Sequence, residues 1–505
     1  YERVDFEKTS NQLLELIEKA KNANSGEELW KVHQEYYKVS TGASDLMTIA
    51  HIRHDVDTTD EFYSQEQTFY DEMRPKLANL FNDYTKAIYE SPYRSYMETK
   101  IGKVAYATME NEIKSMDESI IELMQEENTL RTRYGKLIAS AQIPFDGQIL
   151  NLSLMRPYCI SSDRQVRKEA WKALSKYFQS VEEELDEIFD KLVKNRTAQA
   201  KKLGYENFID LGYCRMNRNS YGKEEVENFR KQVKEVFVPL AEKMHDNRRK
   251  RLGLEKLSYI DNDVYFLNGN PAPLGSPEEI MATGQKMYSE LAPETKEFFD
   301  FMMENQLFDV FGRKTKRQGG YMTYIHKYSS PFIFANFNGT SGDVDVITHE
   351  CGHAFQGYVV RDEEIREFAD ITMETAEIHS MSMEYFTYDW MEKFFGDRKD
   401  DYLDMHFKAA AIFIPYGTMV DEFQHHVYEK PEMTPAERRA LWLELEKEYR
   451  PSMDYDNDPF YGAGGMWQRQ AHIYNMPFYY IDYVLASVCA MQFKVMMPQE
   501  RLATV

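Results

Sequence analysis

Only four cysteines, Cys159, Cys214, Cys351 and Cys489, occur among 505 residues, and their scatter excludes a disulfide framework. The chain is also short of basic charge. Lysine and arginine total 61 against 84 acidic residues, a formal net charge of −23, and such a surface repels a phosphate backbone or an anionic bilayer. No apolar run is long and charge-free enough to span a membrane, and the first residues, Tyr1-Glu-Arg-Val-Asp-Phe-Glu7, hold no apolar signal region. Internal repeats and low-complexity tracts are missing too. Residues 261–276 are rich in Asn, Gly and Pro but read as a loop, too short and mixed to separate free domains. Together these absences point to the cytoplasm, with no nucleic-acid and no membrane partner. Asn151, Asn195 and Asn338 sit in glycosylation-type triplets, read as coincidental in such a compartment.

What is present is helix-forming. Hydrophobic residues make up 43%, enough for a sizeable core, and they recur at helical spacing through the first third. Thr9-Ser10 is expected to cap a helix reaching about Asn24, and Ser25 a second one. Residues 59–90 and 115–136 continue the pattern. Residues 141–154 switch to a period of two around Asp146-Gly147, a hairpin signal. Ser161-Ser162-Asp163 then caps a long helix to about Leu203, and residues 224–251 form another. The expectation is a mainly α protein: a helical region over 1–160 ending in a β-hairpin, then a region over 161–505, both in one compact unit.

The chemistry concentrates in His349-Glu350-Cys351-Gly352-His353. Residues i and i+4 share a helix face, so both imidazoles can bind one zinc ion, while Glu350 is placed to take a proton from a water on that ion. Composition alone would produce this pattern in about three of a hundred such chains, so context decides. Upstream, residues 331–340 are aromatic and β-prone and end in the Asn338-Gly339 turn signal, giving strand then helix. Downstream, residues 370–384 read as a second helix on which Glu377 and Glu384 share a face, so either can complete the metal site. Two histidines, one glutamate and an open position make a catalytic rather than structural zinc set, with Cys351 outside it. Glu384 and Asp345 are candidates to orient a ligating histidine. The adjacent pair His425-His426 diverges by about 100° on a helix, which argues against a metal pair.

These motifs, with Glu377-Ile-His-Ser380, the Gly462-Ala-Gly-Gly465 cluster and the run His472-Ile-Tyr-Asn-Met-Pro-Phe-Tyr-Tyr-Ile-Asp-Tyr483, resemble the thimet-oligopeptidase family, on its bacterial oligoendopeptidase F branch. The resemblance spans residues 316–495. It implies one zinc per chain on His349, His353 and Glu377, Glu350 as general base, and His472 and Tyr483 as donors to the transition state. Tyr474, Tyr479 and Tyr480 remain candidates for a second tyrosine, and Tyr479 is placed in the catalytic set. The glycine cluster beside His472 suggests a mobile loop.

The resulting expectation is a large helical zincin-type peptidase with a small sheet beside the H-E-x-x-H helix, a deep channel, and short unfolded peptides as substrates. The strand over 332–337 is expected to receive the substrate backbone as an added strand. Two rivals differ in what they require. An exopeptidase releasing dipeptides from a free C-terminus needs a fixed cation for the terminal carboxylate. A zinc-bearing peptide-binding protein without turnover has no need of Glu350.

Overall fold

The structure, a computed structural model, describes residues 1–497. Helices dominate, and short polar side chains start them by accepting hydrogen bonds from otherwise unpaired N–H groups. Asp5 starts Phe6–Lys21, Ser25 starts Gly26–Val56, and Asp60 starts Glu61–Tyr89. The first helix therefore begins before the Thr9-Ser10 cap expected from sequence, because Asp5 already supplies the acceptor. The pattern expected to start at residue 115 is likewise divided. Arg94–Ser115 is a helix of its own, and the next, Ile121–Ala139, follows a short 3-10 turn that Asp117 caps. Leu16, Leu29, Tyr84, Ile88 and Met97 close the core between the N-terminal helices.

The hairpin forms as its signal predicts: strands β1 (Ile143–Phe145) and β2 (Gln148–Leu150) pair antiparallel, with positive φ at Asp146 and Gly147. Asn151 then caps the helix Leu152–Cys159, and Asp163 caps the 39-residue helix Arg164–Lys202. Leu185, Ile188, Phe189 and Leu192 on that long helix meet Trp442, Trp467 and Tyr474 in the main core. Of the glycosylation-type asparagines, Asn195 is buried, its amide donating to the Leu123 carbonyl at 3.0 Å.

The second sheet positions the site. It has three strands in the order β3 (Phe308–Phe311), β5 (Ser330–Phe337), β4 (Tyr321–Ile325). β5 lies between a parallel and an antiparallel neighbour, so its backbone is already paired on both sides. The strand expected to receive a peptide, 332–337, therefore has no free edge, and the edge that lines the cavity belongs to β4. Aromatic content marked β5 as a strand, but sheet order, which is non-local, decides which strand is available.

From β5 the chain turns through Asn338-Gly339 into the helix Gly342–Val359. Gly339 adopts φ +82, and the Asp343 carboxylate accepts from the N–H groups of Asn338 and Gly339 at 2.9 and 2.8 Å. That clasp fixes the angle between strand and helix. The helix buries Val344, Ile347, Cys351, Ala354 and Tyr358, at helical spacing, against a core containing Tyr288, Phe298 and Phe299. Full burial of such side chains contributes roughly 1.5–3 kcal/mol each. His349, Glu350 and His353 lie off this stripe and face a cavity.

Candidate active site

Two further helices complete the surroundings of that face: Met373–Phe386, carrying Glu377 and Glu384, and Tyr480–Met496, carrying Tyr483. The first packs closely on the histidine helix at Gly352, where a Cβ would lie 2.6 Å from the Ser380 Cα. Glycine is needed there for the approach. It brings one donor atom each of His349, His353 and Glu377 within 4.8 Å of one another.

Glu377 Oε2 lies 3.3 Å from His349 Nε2 and 3.6 Å from His353 Nε2. Two ligands about 2.1 Å from a tetrahedral ion are separated by about 3.4 Å, so the donor set and its spacing fit zinc. Burial holds His353 neutral, down to about 4, which leaves a ring nitrogen free to ligate. At His349 burial also opposes charge, but the Glu377 and Glu384 carboxylates outweigh it and push the ring well above its ordinary value. The position favours a cation. Glu377, although desolvated, is held down to about 2 by His349 and His353. Ser380 Oγ donates to it at 3.0 Å, and the Tyr479 hydroxyl donates to its other oxygen.

Of the two candidates to orient a histidine, Glu384 does so: its Oε1 lies 2.7 Å from His349 Nδ1 and its Oε2 2.8 Å from His406 Nε2. His406 Nδ1 continues to the Tyr388 hydroxyl at 2.7 Å. Asp345 instead accepts from Tyr402 at 2.7 Å and makes no hydrogen bond to a ligand. Cys351 is fully buried in the apolar stripe, and burial pushes its thiol up. His425 is also interior, bonded to Tyr213 and to the Asp421 carbonyl.

Glu350 is buried beside this cluster, and desolvation pushes its carboxyl up to about 7, against the pull of His349. Across the cavity, His472 Nε2 lies 3.2 Å from the Tyr483 hydroxyl. Tyr416 donates to Gln470 Oε1 at 3.0 Å, and Gln470 Nε2 donates to His472 Nδ1 at 3.1 Å, so the ring carries its proton on Nε2, facing Tyr483. Burial keeps His472 neutral, down to about 4, and Tyr483 and Tyr479 protonated.

The open choice of tyrosine narrows here. Tyr474 is wholly buried, stacked on Tyr134 with ring centroids 4.0 Å apart, and Tyr480 belongs to the same core. Tyr479 and Tyr483, one helical turn apart, both line the cavity. The glycine cluster is packed rather than free: Gly462 sits against Asp458, Gly464 against the Arg439 carbonyl and Gly465 against the Phe460 ring. Those contacts replace the loose loop expected from sequence.

The cavity measures about 760 Å³ and is lined by β4, the three donors, Glu350, His472, Tyr479 and Tyr483. Sequence reasoning missed His406, Tyr388, Gln470 and Tyr416, which are distant in the chain and carry no local motif. The cavity wall also includes Arg74, Arg131 and Arg317, equally unflagged.

Residues 158–271 and 287–500 match the model of peptidase family M3, and residues 1–116 that of the peptidase M3 N-terminal domain. The solved structure of PZ peptidase A with inhibitor 2 superimposes with a TM-score of 0.99 at 47% identity, covering 100% of this chain and 90% of that one. Oligopeptidase PepF of Bacillus subtilis (strain 168) is 24% identical over 90% of this chain and 70% of its own length. Group B oligopeptidase PepB of Streptococcus agalactiae serotype III (strain NEM316) is 23% identical over 92% of this chain and 80% of its own.

Proposed function

The chain belongs to peptidase family M3, and from that premise we propose that it is a zinc-dependent endopeptidase hydrolysing internal bonds of short, unfolded peptides in the cytoplasm. The observation that carries the reading is the meeting of His349, His353 and Glu377 in one cavity with the buried Glu350. Those three would hold the ion, which supplies Lewis acidity toward the scissile carbonyl and lowers the pKa of water toward neutrality.

The protein's own groups divide the remaining work. Glu350 takes a proton from the attacking water and later delivers it to the leaving amine. His472 and Tyr483 donate to the carbonyl oxygen as negative charge develops, a contribution of about 2.7–4 kcal/mol for preorganised donors of this kind. Tyr479 steadies the Glu377 carboxylate, and Glu384 steadies the His349 ring. The free edge of β4 accepts the substrate backbone through main-chain hydrogen bonds, which bind without regard to side chains.

An internal cut is favoured because the cavity continues past the donor cluster toward both ends of β4, from Gln318 and Gly319 to Tyr324 and His326. Quenched fluorescent peptides with product masses read by mass spectrometry test this. Cuts at internal bonds of peptides blocked at both ends are expected. Release of C-terminal dipeptides alone would make it an exopeptidase, and zinc-dependent binding without cleavage would make it a carrier.

A further inference from the structure

Two imidazoles of this site need opposite faces. A histidine that binds a metal must present a lone pair, and one that stabilises a developing oxyanion must present a hydrogen. In a neutral ring the group behind the other nitrogen decides which. Behind His349 stands an acceptor: Glu384 Oε1, 2.7 Å from Nδ1, takes the hydrogen on that side, so that Nε2, facing Glu377, can ligate. Behind His472 stands a donor. Gln470 Nε2 lies 3.1 Å from Nδ1, and an amide nitrogen has hydrogens but no lone pair to offer. Nδ1 therefore accepts, and the one hydrogen of a ring that burial keeps neutral sits on Nε2, 3.2 Å from the Tyr483 hydroxyl.

An amide turned over fills the same space, and its oxygen would then face Nδ1 and draw the hydrogen to that side. Tyr416 opposes this, because its hydroxyl donates to Gln470 Oε1 at 3.0 Å. Both members of the relay are anchored. The Gln470 N–H donates to the Trp467 carbonyl at 2.9 Å, and the Gln470 carbonyl accepts from the Ile473 N–H at 3.1 Å. The Tyr416 ring packs edge-on to Trp442 and Tyr480, with the Arg450 guanidinium 5.2 Å from its centre. One helix, Lys399–Glu429, backs both imidazoles: His406 bonds to Glu384, and Tyr416 bonds to Gln470.

The direction of these bonds matters at the cavity. With the hydrogen on Nε2, His472 donates forward, and the Tyr483 hydroxyl keeps its own hydrogen for another acceptor. With the hydrogen on Nδ1, Nε2 would take the Tyr483 hydrogen, and neither side chain could offer one to an oxygen gaining negative charge. Gln470 and Tyr416 stand behind the cavity wall rather than in it, so they act through His472. We propose that Gln470, held by Tyr416, is a positioning residue that fixes the His472 hydrogen on Nε2 and so makes His472 and Tyr483 donors toward the reacting carbonyl, an inference that rests on the peptidase reading above.

The tautomer is read without turnover from the ring nitrogen NMR shifts of protein labelled at histidine, the His472 signals being those lost in His472→Phe. In the unaltered protein a single form with the hydrogen on Nε2 is expected, and a hydrogen on Nδ1 overturns the proposal. Gln470→Met keeps the side-chain length without the donor, and Tyr416→Phe removes the hydroxyl that orients the amide. Each should bring in the Nδ1 form and lower kcat at least about tenfold, while KM, zinc affinity and melting temperature hold. Full kcat in both variants overturns the proposal. In the His472→Phe background Gln470→Met should cost nothing further in kcat, because its effect passes through that ring. A loss that adds to that of His472→Phe marks a structural role instead and also overturns the proposal. Should the unaltered protein cut no peptide, the peptidase reading fails, and the nitrogen shifts still decide the tautomer.

Discussion

Glu384 is not one of the three donor residues, yet it holds the His349 ring by one nitrogen while the other faces Glu377. Its replacement in Glu384→Gln is expected to weaken zinc binding by about 10–100-fold with little effect on melting temperature, measured by competition with a chelator. Unchanged affinity would remove Glu384 from the site's support. As the proposed base, Glu350 must be ionised to accept a proton, so activity is expected above its pKa and should be lost as pH falls through it. Burial puts that value up to about 7, and a divalent ion beside it pulls it down, so the limb in kcat/KM is expected below pH 7 and above the ordinary carboxylate range. A limb above pH 7 contradicts the assignment. Tyr483→Phe removes one hydroxyl from a residue packed at the cavity wall, so kcat should drop on the order of a hundredfold while KM and melting temperature hold. Full kcat in this variant would mean that the hydroxyl donates nothing. The proposed pair His349 and His353, with Glu350 beside them, was legible in sequence because i, i+4 spacing is a local geometric fact. Spacing left Glu377 and Glu384 equally open and did not choose among Tyr474, Tyr479 and Tyr480; the resemblance pointed to Glu377, and tertiary packing sets Tyr479 against it. His406, Gln470, Arg74 and Arg131 reach the site through tertiary packing, which no spacing encodes.

Among the elements, the closest contact is between the histidine helix and the glutamate helix at Gly352. A Cβ there would meet not a mobile side chain but the backbone of His379 and Ser380, at 2.9 and 2.6 Å. Gly352→Ala therefore has to separate the helices, at a cost of about 1–3 kcal/mol in unfolding free energy, and should weaken zinc binding by drawing Glu377 away from the histidines. Unchanged denaturant midpoint and zinc affinity would show that the helices tolerate the added methyl group. Helix starts were partly legible: Ser25 and Asp163 cap as expected, whereas Asp5 and Asp117 displaced the starts assigned from Thr9-Ser10 and Ser115. The hairpin at Asp146-Gly147 was fully local and came out as expected. The peptide-receiving edge was not, because β4 becomes an edge only through the order in which three strands assemble.

At the scale of the whole molecule, helical walls enclose the site, and the cavity of about 760 Å³ shares lining residues with two neighbouring cavities, at Arg366 and Asp370 on one side and at Arg131 and Arg317 on the other. A folded domain is far larger than such a space, which agrees with the proposed preference for short, unfolded peptides. No helix among the described residues is long and apolar enough to cross a membrane. A metal held by His349, His353 and Glu377 would join these features, since those residues come from two helices linked otherwise by packing and the His349–Glu384 hydrogen bond. Ligand binding to the folded state alone raises stability by mass action, so the ion should report on fold and activity together. The deciding measurement is titration of metal-stripped protein with zinc, following peptide hydrolysis and melting temperature in the same samples. Both are expected to rise and saturate at one zinc per chain in the unaltered protein, with Glu377→Ala requiring far more zinc for either. Full hydrolysis by the stripped protein, or a Glu377→Ala titration identical to that of the unaltered chain, would contradict the zinc site on His349, His353 and Glu377.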